Sequence, residues 1–428
     1  MSIANLISKK TPFFYGWVIL GSAGSTQIVR NAAASLTLAI FMYPMAEDLG
    51  WSRTVIAGAA SVGGLAATLA SPFMGWAVDK FGARTILSAS VLILGLSSLI
   101  SGWATIPLVF YISYGTGRVI LSSSIQISSS VVVSRWFIKM RGRANGVLTF
   151  CHSIGMTSFP LLASILIGLY GWEATWKIFG FIVWGIALIP VTVLIRETPE
   201  SMGLKPDNEI SPDKESKIEN SYEKNWTIGQ AIKTFSLWQL ALSGGLFYIV
   251  HGGVNNHMAA LLQDYGLSAN QAAIAISINA VFTGLGGLLW GWITDKISMR
   301  LCYLILSIFM GISSIGFILV SGIFSAWITA AIFGIALGGL LVVPSVAIAN
   351  YFGRNSLGTI RGFIEPFGSA GTAIGAILSG LVFDSTGVYE IALIILAISS
   401  LIAFALMISS RPPTQKINQS SRSWASFH

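Results

Sequence analysis

The chain has 428 residues, of which 54% are hydrophobic and 10% are charged, and its formal net charge is +8. A soluble domain usually carries about 25% charged residues, so this composition excludes an ordinary soluble protein. The apolar residues form long runs with almost no charge, such as residues 85–101, 179–195 and 391–408. Each run is close to the roughly 20 residues that a helix needs to cross the hydrocarbon core of a bilayer.

Twelve such segments follow one another along the chain. In lipid each must be helical, because a helix satisfies its own backbone hydrogen bonds. We predict spans at residues 15–43, 54–77, 85–104, 107–133, 144–169, 174–195, 236–262, 268–294, 301–322, 325–349, 361–384 and 388–409. The expected fold is therefore an all-α integral membrane protein with twelve transmembrane helices in two six-helix bundles.

A polar stretch at residues 196–235 separates the sixth span from the seventh. It is rich in Glu, Lys, Ser, Asn and Pro, which predicts loose structure over residues 206–222. The predicted domains are an N-terminal bundle (1–195), a cytoplasmic linker (196–235), a C-terminal bundle (236–410) and a cytoplasmic tail (411–428).

The distribution of Lys and Arg predicts the orientation. If the N-terminus is cytoplasmic, 21 of the 25 basic residues lie at cytoplasmic ends or loops, and only Arg53 and Lys177 lie outside. This split places both termini and the linker in the cytoplasm of a protein of the cell membrane. It also accounts for the net charge without nucleic acid as a partner. The first span has no small-residue cleavage site and is expected to be a permanent helix.

The sequence contains none of the motifs of an enzyme or a metal protein that we considered. Cys151 and Cys302 lie in or beside spans, which gives neither a disulfide framework nor metal-ligand spacing. There is no His-Glu-x-x-His pair, no Gly-x-Ser-x-Gly elbow and no phosphate-binding loop. We therefore expect no cofactor, no metal and no ATP hydrolysis, so that ion or solute gradients supply the energy.

The two halves carry related motifs. Gly-Trp-Ala-Val-Asp-Lys-Phe-Gly-Ala-Arg at 75–84 lies between spans 2 and 3, and Gly-Trp-Ile-Thr-Asp-Lys-Ile-Ser-Met-Arg at 291–300 lies between spans 8 and 9, 216 residues later. The ends of spans 4 and 10, at 134–142 and 350–362, are related by a similar offset. Duplicated halves of this kind place a substrate site between them at mid-depth.

The loop at 75–84 resembles the signature of the major facilitator superfamily. Further segments are similar to the monocarboxylate-porter branch, which includes oxalate/formate-antiporter-like proteins: Tyr-Gly-Trp at 15–17, residues 135–146 and 196–207, and Phe-Ser-Leu-Trp at 235–238. The resemblance implies that helices 1, 4, 7 and 10 line a central cavity. Two departures argue against oxalate itself: Gly287 stands where that branch often has a basic residue, and residues 368–371 are glycine-rich where some oxalate-type members carry a lysine.

Charged residues inside spans are expensive and are functional candidates by default. Arg30 lies about 22 Å into helix 1 and Arg118 about 16 Å into helix 4, at about 1.5 Å per residue. No acidic residue is expected at their depth, so an anionic ligand would supply the countercharge. A guanidinium suits a carboxylate in bidentate geometry. The alternative is that each arginine bonds backbone carbonyls or simply packs.

Two histidines are predicted near the same depth, and they could carry protons or be neutral structural groups. His152 lies about 13 Å into helix 5 and His251 about 22 Å into helix 7. Residues 251–256 predict a break in helix 7 that faces the substrate or a gate, because paired glycines weaken a helix and Asn255 and Asn256 can bond exposed backbone.

The remaining polar candidates are weaker. Gln126 and Asn279 could contact the substrate. Glu365 lies four residues after Arg361, which makes an intrahelical ion pair available and leaves a proton-coupling role as the alternative. The resemblance implies a cytoplasmic latch of interhelical ion pairs, the alternative being tight turns with topological charges. Its predicted residues are Asp79, Lys80, Arg84, Asp295, Lys296 and Arg300.

These features predict a secondary active transporter that works by alternating access as a monomer in the lipid bilayer. The expected substrate is a small organic anion, a monocarboxylate, moved with a proton or in exchange for another anion. The alternative is a carrier of a neutral or cationic metabolite or drug in which Arg30 and Arg118 are structural.

Overall fold

The computed structural model describes residues 12–208 and 226–414, together with Ala4 and Ser8. Within this part of the chain the regular elements are helices, and twelve of them form the body of the molecule. They are α1 (Gly16–Leu49), α2 (Arg53–Phe81), α3 (Ala83–Ser101), α4 (107–136), α5 (141–170), α6 (172–194), α7 (Phe235–Asp264), α8 (Ala269–Thr294), α9 (Met299–Ile318), α10 (Ile323–Phe352), α11 (Leu357–Thr386) and α12 (Glu390–Ile408). The predicted number and order of spans is confirmed.

Nine helical stretches in the described residues are long and apolar enough to cross a membrane. One of them, Arg141–Leu194, contains both α5 and α6, which are separated at Gly171. This glycine has φ +77°, a left-handed conformation that glycine adopts readily and other residues avoid. The two less apolar helices, α4 and α7, complete the twelve.

The two halves of the molecule meet along α2 with α11 and along α5 with α8. A Cβ atom added to Gly358 would lie 2.6 Å from the Gly75 carbonyl oxygen. A Cβ atom on Gly146 would lie 2.6 Å from the Gly287 carbonyl oxygen in the same way. Backbones can come this close only where both helices carry small residues. These contacts lie at the end of the molecule where α6 leads into the linker and α7 leaves it, which we name the linker end.

Three helices of the N-terminal half contain an irregular turn, and in α6 it is a π-helical turn at Trp184–Leu188. In α1, a 3-10 turn at Arg30–Ala33 interrupts the helix, and the Thr37 and Tyr114 hydroxyls donate to the carbonyls of Asn31 and Ala33 at 2.7 and 3.0 Å. In α4, a π-helical turn spans Ile120–Ile125. Such irregularities often mark functional sites, because they expose backbone carbonyls and redirect side chains.

The predicted break in α7 is wrong, since Phe235–Asp264 is one continuous α-helix. Its paired glycines provide close packing instead. Gly252 lies against the backbone of Thr372 in α11, and Gly253 lies against Ser379 and Leu396.

The described parts of the linker pack against the helices. The Asp207 carboxylate accepts hydrogen bonds from the backbone N–H groups of Ile138 and Lys139, at 2.8 and 2.7 Å, in the loop between α4 and α5. A short helix, Ile228–Ala231, begins with a capping box formed by Thr227 and Gln230. Most of the stretch predicted to be loose, residues 206–222, lies outside the described residues.

Candidate functional site

A chain of hydrogen bonds links the two halves through Gln126 of α4. The Gln126 side-chain oxygen accepts a hydrogen bond from Arg30 Nη1 at 2.9 Å. Its side-chain nitrogen donates to the Glu365 carboxylate of α11 at 3.2 Å. Arg30 Nη1 also reaches the Leu121 carbonyl at 3.3 Å, within the π-helical turn. Gln126 thus connects a buried arginine of the N-terminal half to a carboxylate of the C-terminal half.

His152 holds the other side of Arg30. The Arg30 Nε–H group donates to His152 Nδ1 at 3.3 Å, and the Asn31 side-chain nitrogen lies 3.2 Å from the same atom. A guanidinium nitrogen can only donate, so His152 Nδ1 accepts and carries no proton. The imidazole is therefore neutral in this arrangement, with its proton on Nε2.

A second arginine, Arg361 of α11, reaches into the N-terminal half. Its Nη1 group donates to the Ser130 hydroxyl of α4, which in turn donates to the Asn145 side-chain oxygen of α5 at 2.8 Å. Arg361 is 8% exposed and Arg30 is 5% exposed. The predicted ion pair between Arg361 and Glu365 is not found among the salt bridges of the described residues. Glu365 is held by Gln126 instead.

Arg361 therefore belongs with the buried arginines and not with the surface charges that the sequence analysis assigned to the cytoplasmic ends. The expectation that no acid lies near Arg30 is also wrong, because Glu365 approaches Arg30 through one amide side chain. Two guanidinium groups and one carboxylate make up the charged part of this cluster.

Two small compartments adjoin at the cluster. The arginine compartment, between the halves, is lined by Gln27, Arg30, Gln126, Ser130, Asn145, Leu148, Thr149, His152, Leu341, Ser345 and Arg361. The tyrosine compartment lies mostly in the C-terminal half and is closed on one side by Gln126 of α4; it is lined by Gln126, Leu240, Ala241, Gly244, Gly245, Tyr248, Tyr303, Leu340, Leu341, Pro344, Ser345, Ile348, Arg361, Ile364, Glu365 and Gly368. Gln126, Leu341, Ser345 and Arg361 line both, so the two compartments share a wall.

Arg118 and His251 lie outside both compartments. The Arg118 side chain packs on Gly63 of α2, and its buried Nε atom has no hydrogen-bond partner among the described residues. His251 Nδ1 is likewise buried and without a partner in the described part of the chain. The sequence analysis offered Arg30 and Arg118 as alternative anion ligands near one depth, and of the two only Arg30 lines a compartment.

The predicted asparagines also lie away from the compartments. The Asn279 side chain is buried between α8 and α10 and donates to the Ala330 carbonyl at 3.3 Å. Asn256 donates to the Gly252 carbonyl of its own helix at 2.9 Å. Asn255, half-buried one residue earlier, does not line either compartment.

At the linker end, Asp79 at the end of α2 binds the first turn of α11. Its carboxylate accepts from the backbone N–H groups of Gly358 and Thr359 at 3.1 and 2.7 Å, and from the Thr359 hydroxyl at 2.8 Å. Arg135 of α4 pairs with the same carboxylate at 3.0 Å. An anion at a helix N-terminus satisfies free N–H groups and the helix dipole together.

Asp295, at the end of α8, binds the first turn of α5 in the equivalent way. It accepts from the backbone N–H groups of Gly142 and Arg143 at 2.7 and 3.2 Å, and pairs with the Arg143 side chain at 3.4 Å. Burial raises the pKa of Asp295, while the two N–H donors and Arg143 oppose that rise. The two aspartates are therefore a repeated pair of contacts that hold the halves together.

Among the described residues, the four basic residues predicted for this latch form no hydrogen bond or ion pair with the opposite half. Arg84 donates to the Thr192 carbonyl in its own half, at 3.1 Å from Nε. Lys80 lies over the Trp76 ring, 4.6 Å from its centroid. No side-chain hydrogen bond or ion pair joins Lys296 or Arg300 to another residue in the described ranges. The cationic partners of the aspartates are Arg135 and Arg143.

Comparison with known proteins agrees with this architecture. The Major Facilitator Superfamily model matches residues 26–258 and 240–427. The oxalate:formate antiporter of Oxalobacter formigenes is 25% identical over 388 residues, covering 86% of this chain and 85% of its own. Human monocarboxylate transporter 10 is 25% identical over 412 residues, covering 92% of this chain and 77% of its own.

Among solved structures, the crystal structure of the human organic anion transporter MFSD10 (TETRAN) matches with a TM-score of 0.71 and 13% sequence identity. The match covers 92% of this chain and 99% of that chain, which shows the shared fold. Because the family match spans nearly the whole sequence, this chain belongs to the Major Facilitator Superfamily and is a multi-pass membrane transporter, not an enzyme.

Proposed function

We propose that this transporter is a secondary carrier of a small organic monocarboxylate. The observation that carries the proposal is the charge of the central cluster. Arg30 and Arg361 come from opposite halves and line one compartment, and Glu365 is the only carboxylate among the described residues that line either compartment. The cluster has a net charge of +1 when Glu365 is ionised, so one monovalent anion balances it.

The same geometry provides a reason for alternating access. A carboxylate held by Arg30 and Arg361 would bridge the N- and C-terminal halves, so its arrival and departure would change the contacts between them. A ligand shifts a conformational equilibrium only if it binds the two states differently. A carboxylate bound by guanidinium groups of both halves meets this condition, because its bidentate contacts depend on how the two halves are placed.

The names of two relatives support the substrate class. An oxalate:formate antiporter and a monocarboxylate transporter are among the proteins similar to this chain, at 25% identity in each case. The charge of the cluster favours a monovalent acid over a dianion such as oxalate.

Coupling to a proton is part of the proposal, and Glu365 is its carrier. Moving one negative charge against 100 mV costs about 2.3 kcal/mol, which one co-transported proton cancels. In this proposal the anion binds while Glu365 is ionised and the cluster is +1, and Glu365 then takes up the proton that accompanies the anion across. In the proposed orientation the linker and both termini face the cytoplasm of the cell membrane, in accord with the excess of Lys and Arg at those ends.

Uptake of radiolabelled acids into proteoliposomes tests the proposal. Arg30→Gln and Arg361→Gln should each lower kcat/KM by about 10- to 100-fold, since hydrogen bonds to charged groups are worth about 1.5–3 kcal/mol. Arg30→Lys and Arg361→Lys keep the charge but lose the planar fork, so they should remain impaired. Arg53→Gln, at the start of α2 on the opposite end of the molecule, is the matched control.

Normal carboxylate uptake by both glutamine variants would rule out the arginine site. Selective uptake of neutral or cationic compounds in place of acids would favour the alternative carrier class.

A further inference from the structure

A further cavity lies at the linker end of the C-terminal half, away from the central cluster. Its walls are the loop between α8 and α9 with the start of α9, the end of α10 and the residues that follow α12. We name it the basic cavity, after two arginines that line it, Arg300 and Arg411. Its volume is about 400 Å³, against about 40 Å³ for each central compartment. Small-molecule pockets usually have about 300–1,000 Å³, so the cavity is large enough for a ligand.

The positive charge of the basic cavity is not balanced. Arg300 is half-buried in the first turn of α9, and Arg411 is exposed just after the end of α12. Neither guanidinium forms a hydrogen bond or an ion pair in the described part of the chain, and no carboxylate among the described residues lines the cavity. The neighbouring Asp295 carboxylate binds the N-terminal half instead. Residues 415–428, which follow in the sequence, contain two basic side chains and no acidic one.

A hydroxyl group accompanies the two arginines. Ser298 lines the cavity, and its oxygen accepts a hydrogen bond from the Leu301 N–H group at 3.3 Å, which leaves the O–H group available to donate. Guanidinium groups bind carboxylates and phosphates in bidentate geometry. Two guanidinium groups and a hydroxyl together offer more donors than the two oxygens of one carboxylate can use. A phosphate group has more acceptor oxygens and matches this set better.

The basic cavity lies where the lipid-facing surface of the helices ends. Trp292 of α8, Leu301 of α9 and Ile408 of α12 are exposed apolar side chains, each within one turn of a residue that lines the cavity. Tryptophan is enriched at the level of the lipid headgroups, where the membrane meets water. A headgroup in the cavity would therefore have apolar helix surface beside it for its acyl chains.

We infer that the basic cavity binds the phosphate of an anionic phospholipid headgroup, with Arg300 and Arg411 as its ligands. A free phosphate offers the same oxygens, but the adjoining apolar surface favours a ligand with acyl chains. Basic pockets between membrane helices on the cytoplasmic side recognise such headgroups, and in the proposed orientation the linker end faces that leaflet. The site does not depend on the proposed substrate, because neither arginine lines a central compartment.

Native mass spectrometry of the purified full chain in detergent tests the inference. Phosphatidylglycerol and phosphatidylcholine with the same acyl chains are titrated separately, and the fraction of lipid-bound protein gives each Kd. The wild-type protein should bind phosphatidylglycerol more tightly, because phosphatidylcholine has no net charge. Arg300→Gln and Arg411→Gln should each weaken phosphatidylglycerol binding about fivefold, the equivalent of about 1 kcal/mol for one basic side chain near an anionic lipid.

Three control variants accompany these two. Arg300→Lys and Arg411→Lys keep the positive charge and should retain most of the affinity, since lysine also binds phosphate as a point charge. Lys233→Gln removes one exposed charge from the linker end of the same half, outside the cavity, and should bind phosphatidylglycerol as the wild type does. The glutamine variants should fold, because neither guanidinium has a partner in the described structure.

Inorganic phosphate and glycerol 3-phosphate distinguish the two sources of the phosphate group. Each should displace phosphatidylglycerol only at concentrations far above the Kd of the lipid, because neither has acyl chains. Displacement near that Kd would show that the ligand is a soluble phosphate compound and that the lipid assignment is wrong. If the glutamine variants bind phosphatidylglycerol as the wild type does, or if Lys233→Gln weakens binding equally, the cavity is not the site. Either failure leaves the proposed function unaffected, since that function is tested by acid uptake in the Arg30 and Arg361 variants.

Discussion

At the scale of single residues, the hydrogen-bond geometry favours Glu365 over either histidine as the proton carrier. His152 Nδ1 accepts from Arg30. A proton on that nitrogen would make it a donor that faces two other donors, and Arg30 would detach. His251 lies outside both compartments. Glu365 lines the tyrosine compartment and is held by one amide, which a proton could displace without breaking the helix packing. This reverses the order in which the sequence ranks these residues.

Glu365→Gln separates coupling from binding. Without the carboxylate the cluster keeps both arginines, so the variant should still exchange labelled for unlabelled acid, with KM equal to or below that of the wild type. It should no longer accumulate substrate in response to an imposed pH gradient, and its uptake should lose the rise that the wild type shows as the external pH falls. Counterflow and gradient-driven uptake in the same vesicles measure the two properties.

His152→Gln and His251→Gln serve as comparisons for that experiment. His152→Gln should weaken substrate binding, because Arg30 loses an acceptor, but it should retain pH-driven accumulation. If the histidine variants lose accumulation and Glu365→Gln retains it, the proton passes through a histidine.

Several residues of the central cluster were identifiable from sequence because a polar group within an apolar span is rare. This reasoning found Arg30, Gln126, His152 and Glu365. It missed Arg361, which lies only one turn from the linker end of α11. This arginine was therefore counted among the basic residues at helix ends that predict the orientation. Tyr303 was missed for a different reason. A tyrosine is ordinary in a membrane helix, and only the three-dimensional packing shows that it lines the tyrosine compartment.

At the scale of helices, sequence predicted the spans well and their irregularities poorly. Apolar length alone determines where a helix can cross a bilayer, and this signal is strong in ten of the twelve spans and weaker in α4 and α7. A glycine pair has two physical uses, a break or a close contact, and sequence does not distinguish them. In α7 the pair makes close contacts with α11 and α12. The irregular turns occur instead in α1, α4 and α6, and those of α1 and α4 are joined by the hydrogen bond from Arg30 to the Leu121 carbonyl.

Gly146 of α5 should be intolerant of a side chain. In the closed linker end its added Cβ atom would lie 2.6 Å from the Gly287 carbonyl oxygen, a contact that requires the helices to separate. Overpacking of this kind costs about 1–3 kcal/mol, so Gly146→Ala should slow transport by about fivefold or more. Transport rates and thermal unfolding of the purified protein measure the effect.

Gly168→Ala is the control on the same helix, because a Cβ atom there meets nothing within 4 Å. It should transport normally and be equal or higher in stability, since alanine favours a helix by about 1 kcal/mol over glycine. Equal behaviour of the two variants would show that the contact with Gly287 does not limit closure.

At the scale of the whole molecule, the repeat in the sequence becomes a repeated contact between the halves. Asp79 binds the start of α11, and Asp295 binds the start of α5, so each half presents one carboxylate to a helix N-terminus of the other. The resemblance predicted interhelical ion pairs at this position. The inter-half partners of Asp79 are backbone N–H groups and a hydroxyl, and only Asp295 also has a cation from the opposite half, Arg143. A contact with N–H groups requires the correct helix position, which makes it specific to the closed linker end.

Removing either carboxylate should therefore open the linker end. Asp79→Ala and Asp295→Ala each leave helix N–H groups without an acceptor, and loss of such a cap costs about 1 kcal/mol. The ratio of open to closed molecules should rise about fivefold, since about 1.4 kcal/mol corresponds to tenfold. A cysteine at Ser345, which lines both compartments, reports the opening by its reaction with a membrane-impermeant maleimide. Cys151 and Cys302 are first replaced by alanine.

In inside-out vesicles the labelling of Ser345→Cys should increase in both aspartate variants, because the linker end then faces the reagent in the proposed orientation. Lys296→Ala is the control: it is adjacent to Asp295, and the lysine has no ion pair in the described part of the chain. Unchanged labelling in both aspartate variants would show that the carboxylates do not hold the halves closed. An increase confined to right-side-out vesicles would confirm the latch and contradict the orientation. The experiment therefore distinguishes two possible errors: that the carboxylates do not hold the linker end closed, and that the linker end does not face the cytoplasm.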